Sequence, residues 1–238
     1  MMKHSANETT STASLFRTPC SPKYFRCALE DLKSVRTLTV TALLCALCIL
    51  TDLFFLPIGG AFLRVYFSFL IAGLLCMIAG PLLAMPAGIL VDLMSFLMQG
   101  GDPSGFFPGY TLSSMLSFLI YALFFYRAHL SLSRIFIARL TVNVLINVIL
   151  GSVWKHILYG NAYIVYFVSG AIKNIALLPV EALLMMVLYR RMLPILQKLH
   201  LVPGTTEIAV RRRDYVICAA AAVVGAAVLV LYYLYKNK

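Results

Sequence analysis

The sequence predicts an all-α membrane protein: a bundle of six transmembrane helices, with a seventh near the carboxyl end. Three observations predict it. Of the 238 residues, 61% are apolar and only 12% are charged, about half the charged share of a soluble domain. The apolar residues gather in runs that can cross a hydrocarbon core, which takes roughly 20 helical residues. Lys and Arg gather in the connections between those runs, where topology signals belong.

The elements follow in order. Residues 1–36 are polar and begin Ser/Thr-rich. They carry no apolar h-region, so no signal peptide is expected there. The first of them read as disordered. Residues 21–36, with Tyr24, Phe25, Ala28, Leu29, Leu32 and Val35, read as an amphipathic helix on the membrane surface. The first span covers residues 38–56. Its Ala42 and Ala46 stand at i, i+4 and make one face small; such a face lets another helix come close within lipid. Pro57, Gly59 and Gly60 break this span, and Arg64 follows. The second span, residues 67–79, is short and ends in a Gly80-Pro81 turn. The third covers 82–98 and holds Asp92 well inside it.

The loop 99–108 is rich in Gly and Pro and is expected to be flexible. The fourth span covers 109–126. Arg127, His129 and Arg134 mark a basic turn before the fifth, 135–157. The sixth, 163–189, carries Lys173, Asn174, Pro179 and Glu181 inside it. The expected organisation is therefore an amino-terminal segment over 1–36 and a six-helix domain over 37–199. A basic linker over 200–214 and a further span at 215–235 complete the chain, within a last segment of 215–238.

The net charge of +11 invites a nucleic-acid reading, but no basic patch is interleaved with exposed aromatics in a soluble segment. Nucleic acid is not expected as a partner. The basic residues sit at the amino end, in the fourth connection and after the sixth span. These fall on one side if all six helices cross. The amino terminus is then cytoplasmic and the loop 99–108 external, in a multi-pass protein of the cell membrane. Six cysteines are present. Cys45 and Cys48 form a C-x-x-C inside a helix of Ala and Leu, without the second pair or loop that a metal site needs. Thiols packed among apolar groups are expected, and no metal or cofactor.

The chemistry lies between residues 100 and 154. Tyr110, Thr111, Ser113 and Ser114 open the fourth span; Asn143, Asn147 and Trp154 lie along the fifth. Buried amides and hydroxyls cost free energy unless partnered. Two neighbouring helices with such groups at one depth suggest a walled pocket. On α-helical spacing Asn143, Asn147 and Trp154 share a face. An amide both donates and accepts, as the edge of a heteroaromatic ring requires, and an indole can stack on that ring. The plainer reading is interhelical glue for the asparagines and an interfacial anchor for Trp154. Asp92 is either a hydrogen bond between helices or a substrate contact. Lys173, in mid-helix, needs an anion or a water-filled cavity; Asp92, Glu181 or an anionic substrate would serve. Arg64 and Lys155 near the outer surface are attractors for carboxylates or, more plainly for Lys155, solvated loop charges. No nucleophile-and-base set and no phosphate loop is present, so no catalytic residue is expected.

At these residues the chain resembles the substrate-binding S components of energy-coupling factor (ECF) transporters, and most closely their folate family. The resemblance covers about residues 32–199. It is carried by Ala42-x-x-x-Ala46, Val91-Asp92-Leu93, Phe107-Pro108-Gly109-Tyr110-Thr111-Leu112-Ser113, Asn143-x-x-x-Asn147 with Trp154, and Lys173-Asn174 with Leu178-Pro179. It implies a six-helix S-component bundle that takes one vitamin from outside, here folate. It also implies a transmembrane T subunit and two ATPase subunits as partners, with ATP hydrolysed on those partners and not on this chain. The substrate-binding residues it implies are Arg64, Tyr110, Thr111, Ser113, Asn143, Asn147, Trp154, Lys173 and Asn174. Asp92 is the buried acid, structural or linked to substrate. Ala42 and Ala46 are where the T subunit would dock, and residues 57–64 and 99–108 are the gates. Where that family often has a basic residue a turn before Lys-Asn, this chain has Ser169 and Gly170. The span at 215–235 is outside the usual six-helix pattern. The competing readings are an S component for another vitamin or cofactor precursor, an intramembrane enzyme, and a structural membrane protein. The last would not need Asp92, Asn147 and Lys173 inside helices.

Overall fold

Pro22–Leu32 forms α1. Its Tyr24 and Ala28 are buried and its Phe25 and Leu29 exposed. Tyr24 Oη donates to the Ala122 carbonyl at 3.0 Å, and the ring meets Tyr126 edge-on at 5.2 Å. Asp31 accepts from Arg127 Nη2 at 3.1 Å and from the Tyr126 hydroxyl. The amphipathic pattern thus makes a helix, and its inner face is strapped to the turn that follows the fourth span.

The computed structural model describes residues 22–57, 64–101, 105–160, 162–203 and 208–209, with single positions 216, 219, 220 and 223. The expected disorder at the amino end, most of the expected seventh span at 215–235 and most of the basic linker lie outside the described residues. So do 58–63 and 102–104 in the two expected gate loops.

Val35–Leu53 is α2, capped by Ser34, whose Oγ accepts from Thr37 N at 3.4 Å. Thr37, Thr41, Cys45 and Cys48 form its buried stripe. Ala42 and Ala46 are exposed, beside exposed Leu43, Leu47 and Leu50, so the small face is left uncovered. Beyond α2, β1 (Phe55–Pro57) pairs antiparallel with β2 (Arg64–Tyr66), Leu56 opposite Val65.

Ser68–Met98 is α3, which contains two of the expected spans. Inside it Gly80 takes φ 69 and ψ 175. Pro81 supplies no N–H and disfavours helical backbone in the residue before it, and only glycine adopts such dihedrals at low cost. The chain folds back there. Ser68 lines the same cavity as Asp52, to which Ser95 Oγ donates at 2.9 Å, although an unbroken helix would hold Ser68 and Ser95 about 40 Å apart. The two arms are therefore antiparallel.

Pro108–Phe125 is α4, with Pro108 in its first turn, where its missing N–H costs nothing. β3 (Leu130–Ser131) pairs in parallel with β4 (Ile208–Ala209). Next comes α5, Leu132–Thr141, capped by Ser131. A π-helical segment, Val142–Leu150, leads into α6, Gly151–Tyr159. Gly160 ends that rod in the left-handed region. Tyr163–Lys198 is α7.

Among the described residues, five helices are long and apolar enough to cross a membrane; with α3 folded at Gly80 they make a bundle of six. Leu75, Phe118, Phe125 and Met185 lie in its core with Cys45, Cys48 and Cys76. All three cysteines are free thiols, and Cys76 Sγ donates to the Phe118 carbonyl at 3.2 Å. One end of the bundle gathers Asp31, Arg36, Arg127 and His200 around a hollow of about 90 Å³. The other end, reached along α2 from Arg36 to Asp52 and along α4 from Tyr126 to Tyr110, holds a much larger cavity.

Replacing Gly80 by Ala should lower stability by about 1–3 kcal/mol, the cost of such backbone in a residue with a side chain. The new Cβ would also meet the Tyr126 ring at 3.0 Å. Thermal unfolding in detergent is the measurement, and a melting temperature equal to that of the parent chain would contradict the fold-back at Gly80.

Candidate functional site

The large cavity has a volume of about 500 Å³, within the range of about 300–1,000 Å³ typical of small-molecule sites. It lies among α2, both arms of α3, α4, the α5–π–α6 rod and α7. α4 contributes a stripe of Tyr110, Ser113, Ser114, Ser117, Phe118 and Tyr121, the i, i+3, i+4, i+7 spacing of one helical face. Gly151 and Gly170 face the space from α6 and α7, where the absence of side chains leaves room.

A buried ion pair makes the floor. Arg139 Nε and Nη2 donate to the two oxygens of Glu181, each at 2.8 Å. Arg139 Nη1 donates to Tyr121 Oη at 2.6 Å, and the guanidinium lies 4.0 Å from the centre of the Phe69 ring. The fork geometry satisfies both carboxylate oxygens at once. Asn143 Nδ2 donates to Glu181 Oε2 at 2.9 Å. Asn147 Nδ2 donates to Asn143 Oδ1 at 2.9 Å and, more weakly, to Asn174 Oδ1 at 3.4 Å. Asn174 Nδ2 donates to the Gly170 carbonyl at 2.8 Å.

Across the cavity, Asp92 Oδ2 accepts from Thr111 Oγ1 at 2.7 Å. Asp52 Oδ2 accepts from Ser95 Oγ at 2.9 Å. Asp92 thus makes the hydrogen bond between helices that was one of its two readings, tying α3 to α4, and it also lines the cavity. Lys155 and Lys173 also line the cavity, close enough for each to feel the other's charge.

The residues expected to bind substrate fall into three groups. Tyr110, Ser113, Asn147, Lys173 and Asn174 line the cavity. Thr111, Asn143 and Trp154 stand behind the lining. Trp154 Nε1 donates to Ser113 Oγ at 2.9 Å, and its ring meets Phe107 edge-on at 5.5 Å. It packs so closely on α4 that a Cβ on Gly109 would come within 2.8 Å of the indole. Arg64 lies in β2 opposite Pro57; its side chain is outside what the structure describes.

The shared face of Asn143, Asn147 and Trp154 is not preserved. The two asparagines turn to α7, whereas Trp154 turns to α4. Both asparagines lie in the π segment, whose i→i+5 bonding takes more residues per turn than an α-helix. A face drawn with 3.6-residue spacing drifts through it.

Sequence reasoning missed Arg139 and Tyr121 as parts of the site, and it set Lys155 aside in favour of the plainer of two readings. Arg139 carried a usable signal, because a cation within a span needs a partner, and Glu181 is a matching lone acid in the sixth span. Lys155, expected more plainly as a solvated loop charge, faces the cavity instead.

A family profile described as "ECF transporter, substrate-specific component" matches residues 36–189. The chain is an ECF S component. This S component is 34% identical over 130 residues to a folate transporter FolT of Clostridium novyi (strain NT), covering 54% of this chain and 74% of the relative. It is 29% identical over 132 residues to a FolT of Leuconostoc mesenteroides subsp. mesenteroides, covering 53% and 70%. A crystal structure of FolT bound with folic acid matches it with a TM-score of 0.58 at 28% identity, over 65% of this chain and 93% of that one. The S component is accordingly a multi-pass membrane protein and a transport subunit rather than an enzyme.

Glu181→Leu alone should leave the Arg139 charge buried and uncompensated, lowering stability by about 3–5 kcal/mol. Arg139→Leu combined with Glu181→Leu should recover much of that loss, since a buried pair replaced by apolar groups is often neutral. Thermal unfolding of the single and double variants in detergent decides it; equal losses in both would mean that the pair is not energetically coupled.

Proposed function

We propose that this S component captures folate in the cavity at the end remote from its basic surface and delivers it to an ATP-driven importer. The observation that carries this reading is the cavity itself. It has the size of a small-molecule site and is walled by amides, hydroxyls and two lysines, in a chain similar to two folate transporters and to FolT solved with folic acid. Folate has a heteroaromatic pterin with donors and acceptors along its edge, and a glutamate tail with carboxylates. The Arg139 charge is already matched by Glu181. Lys155 and Lys173, which line the cavity, supply positive charge for the tail, and Asn147 and Asn174 the hydrogen bonds for the ring. Tyr110 and Ser113 line the same space, with Trp154 holding the Ser113 hydroxyl and Thr111 holding Asp92.

The orientation follows from charge. Arg36, Arg127 and His200 collect at one end, and basic residues of short loops favour the cytoplasm. The amino terminus is then cytoplasmic in the cell membrane, and the cavity faces outward. Uptake needs energy that this chain does not supply, so a transmembrane T subunit and two ATPase subunits are its partners. Ala42 and Ala46 offer the docking face, since they are exposed on α2 and let a helix approach closely. Residues 57–64 and 99–108 are the gates of this reading.

Equilibrium binding of radiolabelled folic acid to the purified protein tests the substrate. Saturable binding is expected, and Lys173→Ala should weaken it by about ten- to a hundredfold, the worth of one hydrogen bond to a charged group. Tight binding of a different vitamin with none of folic acid would remove the substrate while leaving the family. Docking is tested separately. Ala42→Leu with Ala46→Leu should abolish folate uptake by cells and co-purification of the T subunit, yet leave folic acid binding to the isolated chain unchanged. Full uptake by that variant would remove the docking face.

A further inference from the structure

The amides around the cavity are ordered by a group that none of them shows to a ligand. A carboxylate only accepts hydrogen bonds. Glu181, held on both oxygens by Arg139, therefore leaves Asn143 one orientation: its Nδ2 must face Glu181 Oε2, at 2.9 Å. Its Oδ1 is then turned the other way, towards Asn147. An oxygen there requires a donor, so Asn147 must present Nδ2, at 2.9 Å. The second N–H of the same nitrogen goes to Asn174 Oδ1. Asn174 is oriented in the same sense, because its own Nδ2 is committed to the Gly170 carbonyl. Both donors of Asn147 are thereby used within the protein. Among the described residues, nothing donates to Asn147 Oδ1, and Asn147 lines the cavity.

We propose that the Arg139–Glu181 pair acts through Asn143 as a polarity setter, fixing Asn147 with its carbonyl oxygen towards the ligand so that the site selects a ring edge that donates N–H. This rests on the folate reading and names the feature of the ligand that Asn147 reads. The pyrimidinone ring of folic acid carries such a donor, the N3–H beside the 2-amino group. Replacing its 4-oxo group by an amine removes the N3 hydrogen and turns N3 into an acceptor. An acceptor facing the Asn147 oxygen has no proton between them, and a site built to take an N–H discriminates strongly against an analogue that lacks it. Asn143 and Glu181 are positioning residues here: Asn143 hydrogen-bonds Asn147 directly, and Glu181 acts on it through Asn143.

The test compares two ligands on the full chain: folic acid and 4-amino-4-deoxyfolic acid, each by equilibrium binding to the purified protein. The parent chain should bind folic acid at least about tenfold more tightly, the worth of one hydrogen bond gained or lost. Asn143→Leu removes the oxygen that holds Asn147 Nδ2. The Asn147 amide can then rotate to offer either end, and the ratio of the two dissociation constants should fall to within about threefold, the loss of most of one hydrogen bond. Asn143→Ser keeps a hydroxyl donor near Glu181 but is too short to reach Asn147, and the same collapse is expected of it if the leucine variant does not fold. A purely structural role for Asn143 would weaken both ligands together and leave the ratio untouched. An unchanged ratio in a folded Asn143 variant, or a ratio near one in the parent chain, overturns the polarity setter and leaves folate binding standing. A parent chain that binds neither ligand overturns the folate reading and this inference with it.

Discussion

A guanidinium and a carboxylate placed inside an apolar bundle have no water to fall back on, so each must find the other. Arg139 on α5 and Glu181 on α7 do so with both oxygens engaged. The same guanidinium reaches Tyr121 on α4 and covers Phe69 on α3. One cation therefore touches side chains on three other helices at a single point. Apolar packing tolerates sliding between helices; a bidentate ion pair does not. The depth of this pair sets the depth of the cavity floor, and the amides above it inherit their orientation from the carboxylate.

The cavity is the result of where polar groups are satisfied and where they are not. Thr111 and Asp92 satisfy one another, as do Ser95 and Asp52, and Trp154 and Ser113. These pairs lock α3 to α2 and α4, and α6 to α4. The wall is thus rigid and polar without collapsing inward. Two lysines, Lys155 and Lys173, line the same space. The basic surface at the other end belongs to a separate assembly. There Asp31 straps α1 to Arg127 and Tyr126, so the basic cluster of that end and the two lysines of the cavity are kept apart along the bundle.

Much of this is legible residue by residue. The Gly80-Pro81 pair announces a turn, because proline forbids a helical residue before it and glycine accepts the dihedrals that result. The α4 stripe from Tyr110 to Tyr121 follows helical spacing. The Ala42 and Ala46 face is visible as small residues one turn apart, and its exposure agrees with the buried stripe running along Thr37, Thr41, Cys45 and Cys48. Three features are not legible. The π segment over Val142–Leu150 has no compositional mark, since it differs from an α-helix by one residue per hydrogen-bonded turn. The side to which Trp154 turns depends on the phase that segment introduces. Lys155 reads as a loop charge because its distance from Lys173 is long in the chain and short only across the bundle.

The amino-acid order alone determined the number and placement of the described spans, the fold-back at Gly80, the polar content of the two helices flanking the cavity, and the uncovered small face of α2. Each of these is a local property: hydropathy over one helix length, or the dihedral limits of glycine and proline. Only the tertiary structure decided which groups face the hollow and which stand behind it. It paired Arg139 with Glu181 rather than leaving Glu181 to Lys173, turned Trp154 to Ser113, and brought Lys155 beside the site. Those choices rest on contacts between helices, where partners some forty residues apart in the chain compete for one buried charge or hydroxyl, and that competition is resolved only when all the helices are in place.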